Sequence, residues 1–267
     1  MYKRYVICVL AMVAAPTYAV STCSALSGAE KFPPLHVRDG AICFVSEPVL
    51  DDNTGLPIGA DAISLYYVPE GSAPVKAVGR GLHYDDTPGK VVDAFVENVG
   101  NQSGERVFVI HSLEVRNSLA EPDSSGNFYS VDVFNLTGHV LRRDDHRSDW
   151  FGAGYSWLSD GRRVVYRFPY RSRRDIQCAL NSPFASLFGD EQGVWATVGR
   201  KVSLYDAPSV RDRTRKYLVA GDRVKITRIT AGWCRGNYFG NVKPIEMWLM
   251  CSALDAEDRS LSFEFSS

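Results

Sequence analysis

The segment from Lys201 to Cys251 holds the most informative pattern in this chain. It reads LYDAPS at 204–209, YLVAGDRV at 217–224, GWCR at 232–235 and MWL at 247–249. Pro208 predicts a turn after a first strand, and Gly221-Asp222 predicts a tight turn before another strand. Trp233 and Trp248 supply the bulky apolar side chains that the interior of a small barrel needs. We therefore expect a small β-barrel in this part of the chain.

The order and spacing of these pieces resemble the bacterial SH3-like (SH3b) domain, a small barrel found in many exported bacterial proteins. The resemblance covers about a fifth of the chain, within an expected module at 194–253. It implies binding of cell-wall peptide or of a protein partner through aromatic and polar side chains. For Trp233 and Trp248, a place in the barrel core is the favoured alternative. The binding candidates are Tyr205, Asp206, Tyr217, Trp233, Arg235 and Tyr238.

The region from 41 to 190 predicts a β-rich body. Short runs rich in β-branched and aromatic residues alternate with Gly, Asp, Asn and Ser turn clusters, a pattern typical of antiparallel strands. One short helix is expected within 176–188. The predicted fold is mainly β, with an N-terminal antiparallel β-sandwich or barrel followed by the small SH3-like barrel. The expected strands are Ala41–Ser46, Ala62–Val68, Val91–Val96, Arg106–Val115, Tyr129–Leu136 and Arg163–Phe168.

The remaining segments are less patterned. Residues 20–40 predict a leader that passes over the surface. The run GDEQG at 189–193 predicts a domain boundary, after which the charge balance changes sign. The acidic tail at 254–267 alternates apolar and polar residues briefly, which fits either an edge strand or a tail docked on one of the domains.

The N-terminus predicts export. Lys3 and Arg4 precede an apolar run that ends in small residues near Ala19, the pattern of a secretory signal peptide at 1–19. The mature protein is therefore expected to begin near Val20 and to be periplasmic or secreted.

Five cysteines follow the predicted signal peptide, in a compartment where disulfides persist. Cys234 and Cys251 lie in one short β-rich segment and are the first expected pair. Pairing Cys43 with Cys178 would tie the first strand of the body to its end and leave Cys23 over. Cys23 is then free, or takes Cys178 in place of Cys43.

Cys23 also permits a membrane anchor. The sequence VSTC at 20–23 resembles a bacterial lipobox, in which the cysteine is acylated and becomes the first mature residue. The match is imperfect, because Thr22 stands where Gly, Ala or Ser is usual. Contact with a membrane is expected only if Cys23 is lipidated.

The charge distribution is asymmetric although the formal net charge is −1. Residues 20–141 carry 7 Lys and Arg against 16 Asp and Glu, whereas residues 200–253 carry 11 against 4. The near-neutral total argues against a nucleic-acid binder. The basic module either attracts the acidic body or meets an anionic partner.

No catalytic signature is found in the sequence. Gly-x-Ser-x-Gly and His-Glu-x-x-His are absent, so no nucleophile, catalytic base or cofactor is assigned. The acidic clusters at 83–86 and 144–149 lack the ligand spacing of a metal site, and solvated loops are expected there. We therefore predict a protein that is not an enzyme and binds no metal.

A second candidate surface lies in the segment 142–174, which holds nine Arg and no Lys among many aromatic residues. Arg and aromatic side chains are enriched at binding hot spots. The same residues also form cross-strand pairs on exposed sheets, which is the structural alternative. The candidates here are Arg142, Arg143, Trp150 and Trp157.

Three functions remain open. The first is a non-enzymatic exported protein whose SH3b-like module binds cell-wall peptide or a protein. The second is a periplasmic immunity or inhibitor protein that neutralises an envelope-targeting toxin. The third is a cell-wall hydrolase targeted by its SH3b-like module, which the missing catalytic motif disfavours.

Overall fold

A computed structural model describes residues 23–84, 87, 89–98, 105–115, 123–189, 193–240 and 243–256. The predicted signal peptide at 1–19 and residues 257–267 of the predicted acidic tail lie outside these ranges. Asp85 and Asp86 of the first acidic cluster also lie outside them.

The N-terminal sheet has four antiparallel strands in the order β1-β2-β3-β4. β2 is a run of apolar residues that is buried along almost its whole length. β1 forms within the predicted leader as an edge strand and contains Pro33 and Pro34, which edge strands tolerate. The strands are β1 (Glu30–Val37), β2 (Gly40–Glu47), β3 (Ala62–Pro69) and β4 (Val75–Lys76).

The central sheet has five antiparallel strands, with β5 to β8 in sequence order and β9 paired to the start of β7. β6 and β7 pair in continuous register over ten residues. The strands are β5 (Gly89–Glu97), β6 (Glu105–Glu114), β7 (Asn127–Thr137), β8 (Val140–Arg143) and β9 (Ala153–Tyr155).

Both faces of the central sheet are apolar, which explains why its strands are nearly continuous hydrophobic runs. Val107 and Val109 belong to a cluster with Phe44 and Leu65 of the N-terminal sheet. Phe108 and its neighbours on the other face pack against the helical segments and the C-terminal sheet. The central sheet is therefore the middle layer of the molecule.

Two short helices and a hairpin follow the central sheet. Helix α1 (Asp145–Phe151) is capped at its N-terminus by Asp144, whose side chain accepts a hydrogen bond from the backbone N–H of Arg147. The expected loop at 144–149 is therefore wrong, because a capping aspartate starts a helix there. The other elements are the hairpin β10 (Trp157–Ser159) and β11 (Val164–Arg167), helix α2 (Arg173–Leu180) and a 3-10 segment at Pro183–Gly189.

The C-terminal sheet has seven antiparallel strands in the order β14-β13-β17-β16-β15-β12-β18. The first residues of the predicted acidic tail form β18, so that part of the tail is an edge strand. The strands are β12 (Val194–Val198), β13 (Val202–Tyr205), β14 (Arg213–Leu218), β15 (Arg223–Thr230), β16 (Trp233–Tyr238), β17 (Ile245–Met250) and β18 (Leu254–Ala256).

The prediction of a mainly β chain is confirmed. All six strands expected in the body form, within one or two residues of the expected bounds. The helix expected within 176–188 forms as α2 and the following 3-10 segment. Among the described residues, no helix combines the length and the apolar character that a membrane span requires.

One apolar cluster extends across the predicted domain boundary at 189–193. It contains Phe108 and Trp150 of the body together with Ile226 and Trp233 of the C-terminal sheet. The division of the chain into two domains stays a prediction, and their cores are continuous in space.

The disulfide between Cys234 and Cys251 is confirmed, and the expected pair of Cys43 with Cys178 is wrong. Cys43 instead bonds Cys23, next to Val68 on the N-terminal sheet. Cys178 lies on α2, which packs on the opposite face of the central sheet, and it is free and exposed. The central sheet thus separates Cys43 from Cys178, a separation that cysteine spacing does not reveal.

Alkylation checks this pairing. In the folded, unreduced protein spanning residues 20–267, iodoacetamide is expected to modify Cys178 alone of the five cysteines, because the other four are in disulfides. Peptide mass spectrometry measures the modified sites. Modification of Cys23 with protection of Cys178 would contradict the pairing described here.

Candidate functional site

The turn between β15 and β16 locks the C-terminal sheet onto the body. The backbone N–H of Ala231 donates to the carbonyl of Phe151 at 3.0 Å, and the hydroxyl of Tyr166 donates to the carbonyl of Ala231 at 2.8 Å. Gly152 adopts φ 64°, and a Cβ there would lie 2.6 Å from Oγ1 of Thr230. A glycine is therefore required where the two backbones approach.

Three aromatic rings pack against one another where the C-terminal sheet meets the body. The ring of Tyr166 stacks on Trp233 with centroids 5.8 Å apart, and Tyr205 meets Trp233 edge-on at 4.9 Å. Trp233 is 2% exposed as a result. Trp233 is therefore covered from one side by a ring of the body and from another by a ring of its own sheet.

A cleft of about 590 Å³ opens beside these rings, a volume within the range of ligand sites. We call it the junction cleft. Its walls are mainly apolar. The body contributes Trp150, Val165, Tyr166, Arg167, Tyr170 and Ala179, and the C-terminal part contributes Arg200, Ile229, Gly232, Met250 and Ser252.

The junction cleft is electropositive. Arg167 and Arg200 are exposed at its margin, and no acidic side chain of the described residues lines it. Arg200 donates to the carbonyl and hydroxyl oxygens of Ser252, both at 3.3 Å. Apolar walls beside unneutralised guanidinium groups favour a ligand that is apolar and anionic.

A second pocket, of about 520 Å³, is polar and lies at one end of the central sheet. Inside it, Arg143 bonds Asp132 through Nε at 2.9 Å and through Nη2 at 2.8 Å, and Ser130 donates to the same carboxylate at 3.1 Å. Burial raises the pKa of Asp132, against the lowering effect of Arg143 and Ser130. Arg143 also contacts Asp145. The buried charges of Asp132 and Arg143 already have partners, so we interpret this pocket as a structural feature and not as a ligand site.

His111 lies beside this pocket, on β6 opposite Ser130. It is 2% exposed, and its Nδ1 finds no hydrogen-bond partner among the described residues. Burial, with a smaller effect from the nearby His83, lowers the pKa of His111 from 6.5 to about 4. The imidazole is therefore neutral in the folded protein above that pH.

This pKa predicts acid destabilisation. Between pH 6.5 and 4 the unfolded chain binds a proton on His111 that the folded chain does not, so the free energy of unfolding falls as the pH falls. The full effect is on the order of 3 kcal/mol. The free energy of unfolding is measured in urea at several pH values. His111→Leu should flatten its dependence on pH, whereas His139→Leu, the same substitution at an exposed histidine, should leave that dependence unchanged. Equal slopes in the two variants would contradict the assignment.

The six candidates in the C-terminal sheet do not form one surface. Tyr205, Trp233 and Arg235 share one sheet face with Trp248, as the register of β13, β16 and β17 requires, and that face is turned partly to the body. The alternation of β16 places Tyr238 on the opposite face.

The remaining contacts of these candidates are local. Arg235 pairs with Glu246 at 2.7 Å. The hydroxyl of Tyr238 donates to Asp222 at 3.4 Å. Tyr217 is 54% exposed beneath the ammonium group of Lys201, and Asp206 is exposed in the turn after β13.

The candidates in the 142–174 segment are also dispersed. Arg142 and Arg143 are neighbours on β8, where the alternation of the strand leaves Arg142 exposed and buries Arg143 in the polar pocket. Trp150 is 4% exposed in the core and forms part of the cleft wall, and Trp157 is half-buried on β10. Most aromatic residues of this segment therefore fill the core rather than an outer face.

The residues that complete both pockets were not predicted from the sequence. Asp132 and His111 carried a signal, because each interrupts an otherwise apolar strand at an inward position. Ala179, Arg200 and Ser252 carried none, because only packing brings them together. Within the described ranges, no three His, Cys, Asp or Glu side chains are close enough to hold a metal ion.

Comparison of the chain with protein-family models, with curated proteins and with solved structures gave no match in any of the three.

Proposed function

We propose that this chain is an exported bacterial protein that acts by binding rather than by catalysis, and that it holds a protein partner in the junction cleft. Its two disulfides are compatible with an oxidising compartment such as the periplasm. The signal-peptide pattern at 1–19 supports export. The disulfide of Cys23 favours a soluble form, because the sulfur that a lipid anchor would need is already bonded.

The junction cleft is the observation that carries this proposal. It is the larger of the two pockets described above, and apolar side chains form most of its walls. Burying apolar ligand surface there is favourable, since the wall residues are held in place by the core behind them. In the polar pocket, by contrast, a ligand would compete with the pair formed by Asp132 and Arg143.

A protein partner fits this cleft better than the cell wall does. Wall glycans and their peptides are rich in polar groups, which apolar walls leave without hydrogen bonds. Trp233, one of the two tryptophans of the SH3b-like resemblance, is already covered by Tyr166. We therefore propose that the SH3b-like module uses this aromatic contact to dock on the body of its own chain and to form one side of the cleft.

A toxin neutralised by this chain is the second candidate, and it would be a partner of the same kind. The electropositive margin at Arg167 and Arg200 favours a partner with an acidic surface. Such a partner should bind tightly and in one-to-one ratio, and loss of this chain should harm the producing cell only when the partner is present.

The test is cleft-dependent capture. Residues 20–267 are immobilised and incubated with periplasmic extract from the producing bacterium, alongside Ala179→Trp, which fills the cleft, and Ala73→Trp, which places the same side chain on an exposed turn. We expect one stoichiometric partner to bind the wild type and Ala73→Trp and to be lost from Ala179→Trp. Circular dichroism establishes that all three proteins are folded.

Purified peptidoglycan is tested separately as the alternative ligand. Co-sedimentation of the wild type and of Ala179→Trp to the same extent would contradict the proposal and assign the function to wall binding outside the cleft. A partner captured equally by all three proteins would also contradict it.

A further inference from the structure

The loop between β2 and β3, residues 48–61, carries exposed apolar side chains. Leu50 is 51% exposed, Leu56 64% and Ile58 46%. Single exposed apolar residues are ordinary on a protein surface, but three of them within nine residues form a patch of the kind that marks an interaction site. We call residues 49–58 the apolar loop.

Hydrogen bonds hold the apolar loop in a defined shape. The N–H of Asp51 donates to the carbonyl of Leu56 at 2.9 Å. The N–H of Ile58 donates to the carbonyl of Val49 at 2.8 Å. Oδ1 of Asp51 accepts hydrogen bonds from the N–H and the hydroxyl of Thr54, at 2.7 and 2.9 Å. A loop that is already ordered loses less conformational freedom when it binds, which favours its use as a contact.

The apolar side chains occupy both faces of this loop. Leu50 and Pro57 are directly opposite each other in an antiparallel bridge, so their side chains share one face. Leu56 and Ile58 flank Pro57 along the chain and therefore point to the other face. A loop that is apolar on both faces fits a cleft between two apolar walls better than it fits a flat surface.

The charge of the loop between β2 and β3 is negative. Residues 48–61 contain three Asp and no Lys, Arg or His. Hydrogen bonds from Thr54 and, with a smaller effect, from Asn53 lower the pKa of Asp51, so its carboxylate is ionised at neutral pH. Asp52, the next residue, is exposed. The loop is therefore both apolar and anionic, which is the combination that the junction cleft favours.

The junction cleft supplies the complementary charge. Among the described residues, Arg167 has no hydrogen-bond or ion-pair partner, and Arg200 donates only to uncharged oxygens of Ser252. Val164, which also lines the cleft, is 40% exposed, so apolar surface is open there as well. Opposite charges beside an apolar contact speed association and fix the orientation of the partner.

The apolar loop does not occupy the cleft of its own chain. None of its residues lines that cleft. The N-terminal sheet, from which the loop extends, packs on one face of the central sheet, and the cleft lies on the side of the other face. A second copy of the chain offers both surfaces. The acidic body and the basic C-terminal module favour contact between two copies in the same sense.

We propose that the apolar loop of one copy inserts into the junction cleft of a second copy. This inference rests on the function proposed above, because it identifies the partner in the cleft as another copy of the same chain. Loop and cleft are different surfaces, so each copy can give its loop and also receive one. A contact made by one short loop is small, and we expect reversible association that increases with protein concentration.

Sedimentation velocity of the mature chain, residues 20–267, tests this association. Because small interfaces are weak, the protein concentration is raised to about 1 mM. Leu56→Lys replaces an apolar side chain of the loop by a positive charge, and Ala179→Trp fills the cleft. We expect the wild type to form larger species, and each variant to raise the dissociation constant at least about tenfold.

Two matched controls make the same substitutions elsewhere. Val140→Lys changes an exposed aliphatic residue outside the loop and the cleft, and Ala73→Trp places the bulky ring on an exposed turn. Both controls should associate as the wild type does. Circular dichroism establishes that all the variants are folded.

Mixing two variants tests whether the loop meets the cleft. Leu56→Lys keeps an intact cleft, and Ala179→Trp keeps an intact apolar loop. Neither should associate alone, but an equimolar mixture should form a one-to-one complex. Added salt should weaken that complex, because screening reduces the attraction between the Asp and Arg side chains.

Two results would overturn the inference. One is a wild type that stays monomeric at the highest concentration, and the other is a mixture of the two variants that does not associate. The proposed function fails on a different result, namely partner capture that does not depend on Ala179. A monomeric wild type that still captures a different protein through the cleft would keep the proposed function and refute the second copy as the partner.

Discussion

Replacing Arg143 by methionine should lower the free energy of unfolding by about 3–5 kcal/mol. The reason is that the carboxylate of Asp132 stays buried after its partner is removed. The side chains of Arg143 and Asp132 are each only 4% exposed, so the variant buries a charge whose main partner has been removed. The loss is measured by urea unfolding followed by circular dichroism at neutral pH.

Arg142→Met is the matched control, because it makes the same substitution one residue away on the exposed face of β8. Its effect should stay within about 0.5 kcal/mol. Adding Asp132→Asn to Arg143→Met should recover part of the stability, since it removes the buried charge. Similar losses at positions 142 and 143 would refute the structural role given to the polar pocket.

Truncating Trp233 to alanine should cost about 3–5 kcal/mol, the range for large aromatic residues in a core. The variant removes the ring that lies between Tyr166 of the body and Tyr205 of the C-terminal sheet. Since one apolar cluster contains both regions, the whole chain should unfold at a lower urea concentration in a single transition.

Trp195→Ala makes the same substitution at a side chain that is 40% exposed on β12. It should lose much less stability, because little buried surface is removed. Limited proteolysis should release no stable body fragment from Trp233→Ala. Release of an intact fragment ending near residue 190, with the stability of the body unchanged, would mean that the two regions fold independently.

Much of the secondary structure followed from local pattern. Alternation and β-branched residues located six of the eleven strands described before residue 190, and turn residues marked their ends. β1 was missed because an edge strand with two prolines buries too little surface to leave an alternating pattern. Helix α1 was missed because its seven residues are too few for a helical period to emerge, although Asp144 is a typical capping residue.

The candidate sites were predicted from the sequence much less completely than the secondary structure was. Aromatic residues such as Trp150 and Trp233 were recognised as important, but residue type does not distinguish a binding surface from a core. Arg142 and Arg143 are the clearest case, because neighbours on one strand face opposite environments. Strand alternation predicts that they differ, but which of them is buried depends on which sheet face is covered.

The amino-acid pattern was sufficient for the mainly β class, for six strands of the body, for the pairing of Cys234 with Cys251 and for the change of charge near residue 190, because each depends on residues close together in the chain. The pairing of Cys43 with Cys23 rather than with Cys178, the burial of Arg143 rather than Arg142 and the junction cleft depend instead on layer order. The central sheet holds the N-terminal sheet on one face and the helices with the C-terminal sheet on the other. Burial of apolar surface over the whole chain selects that order, and no local segment encodes it.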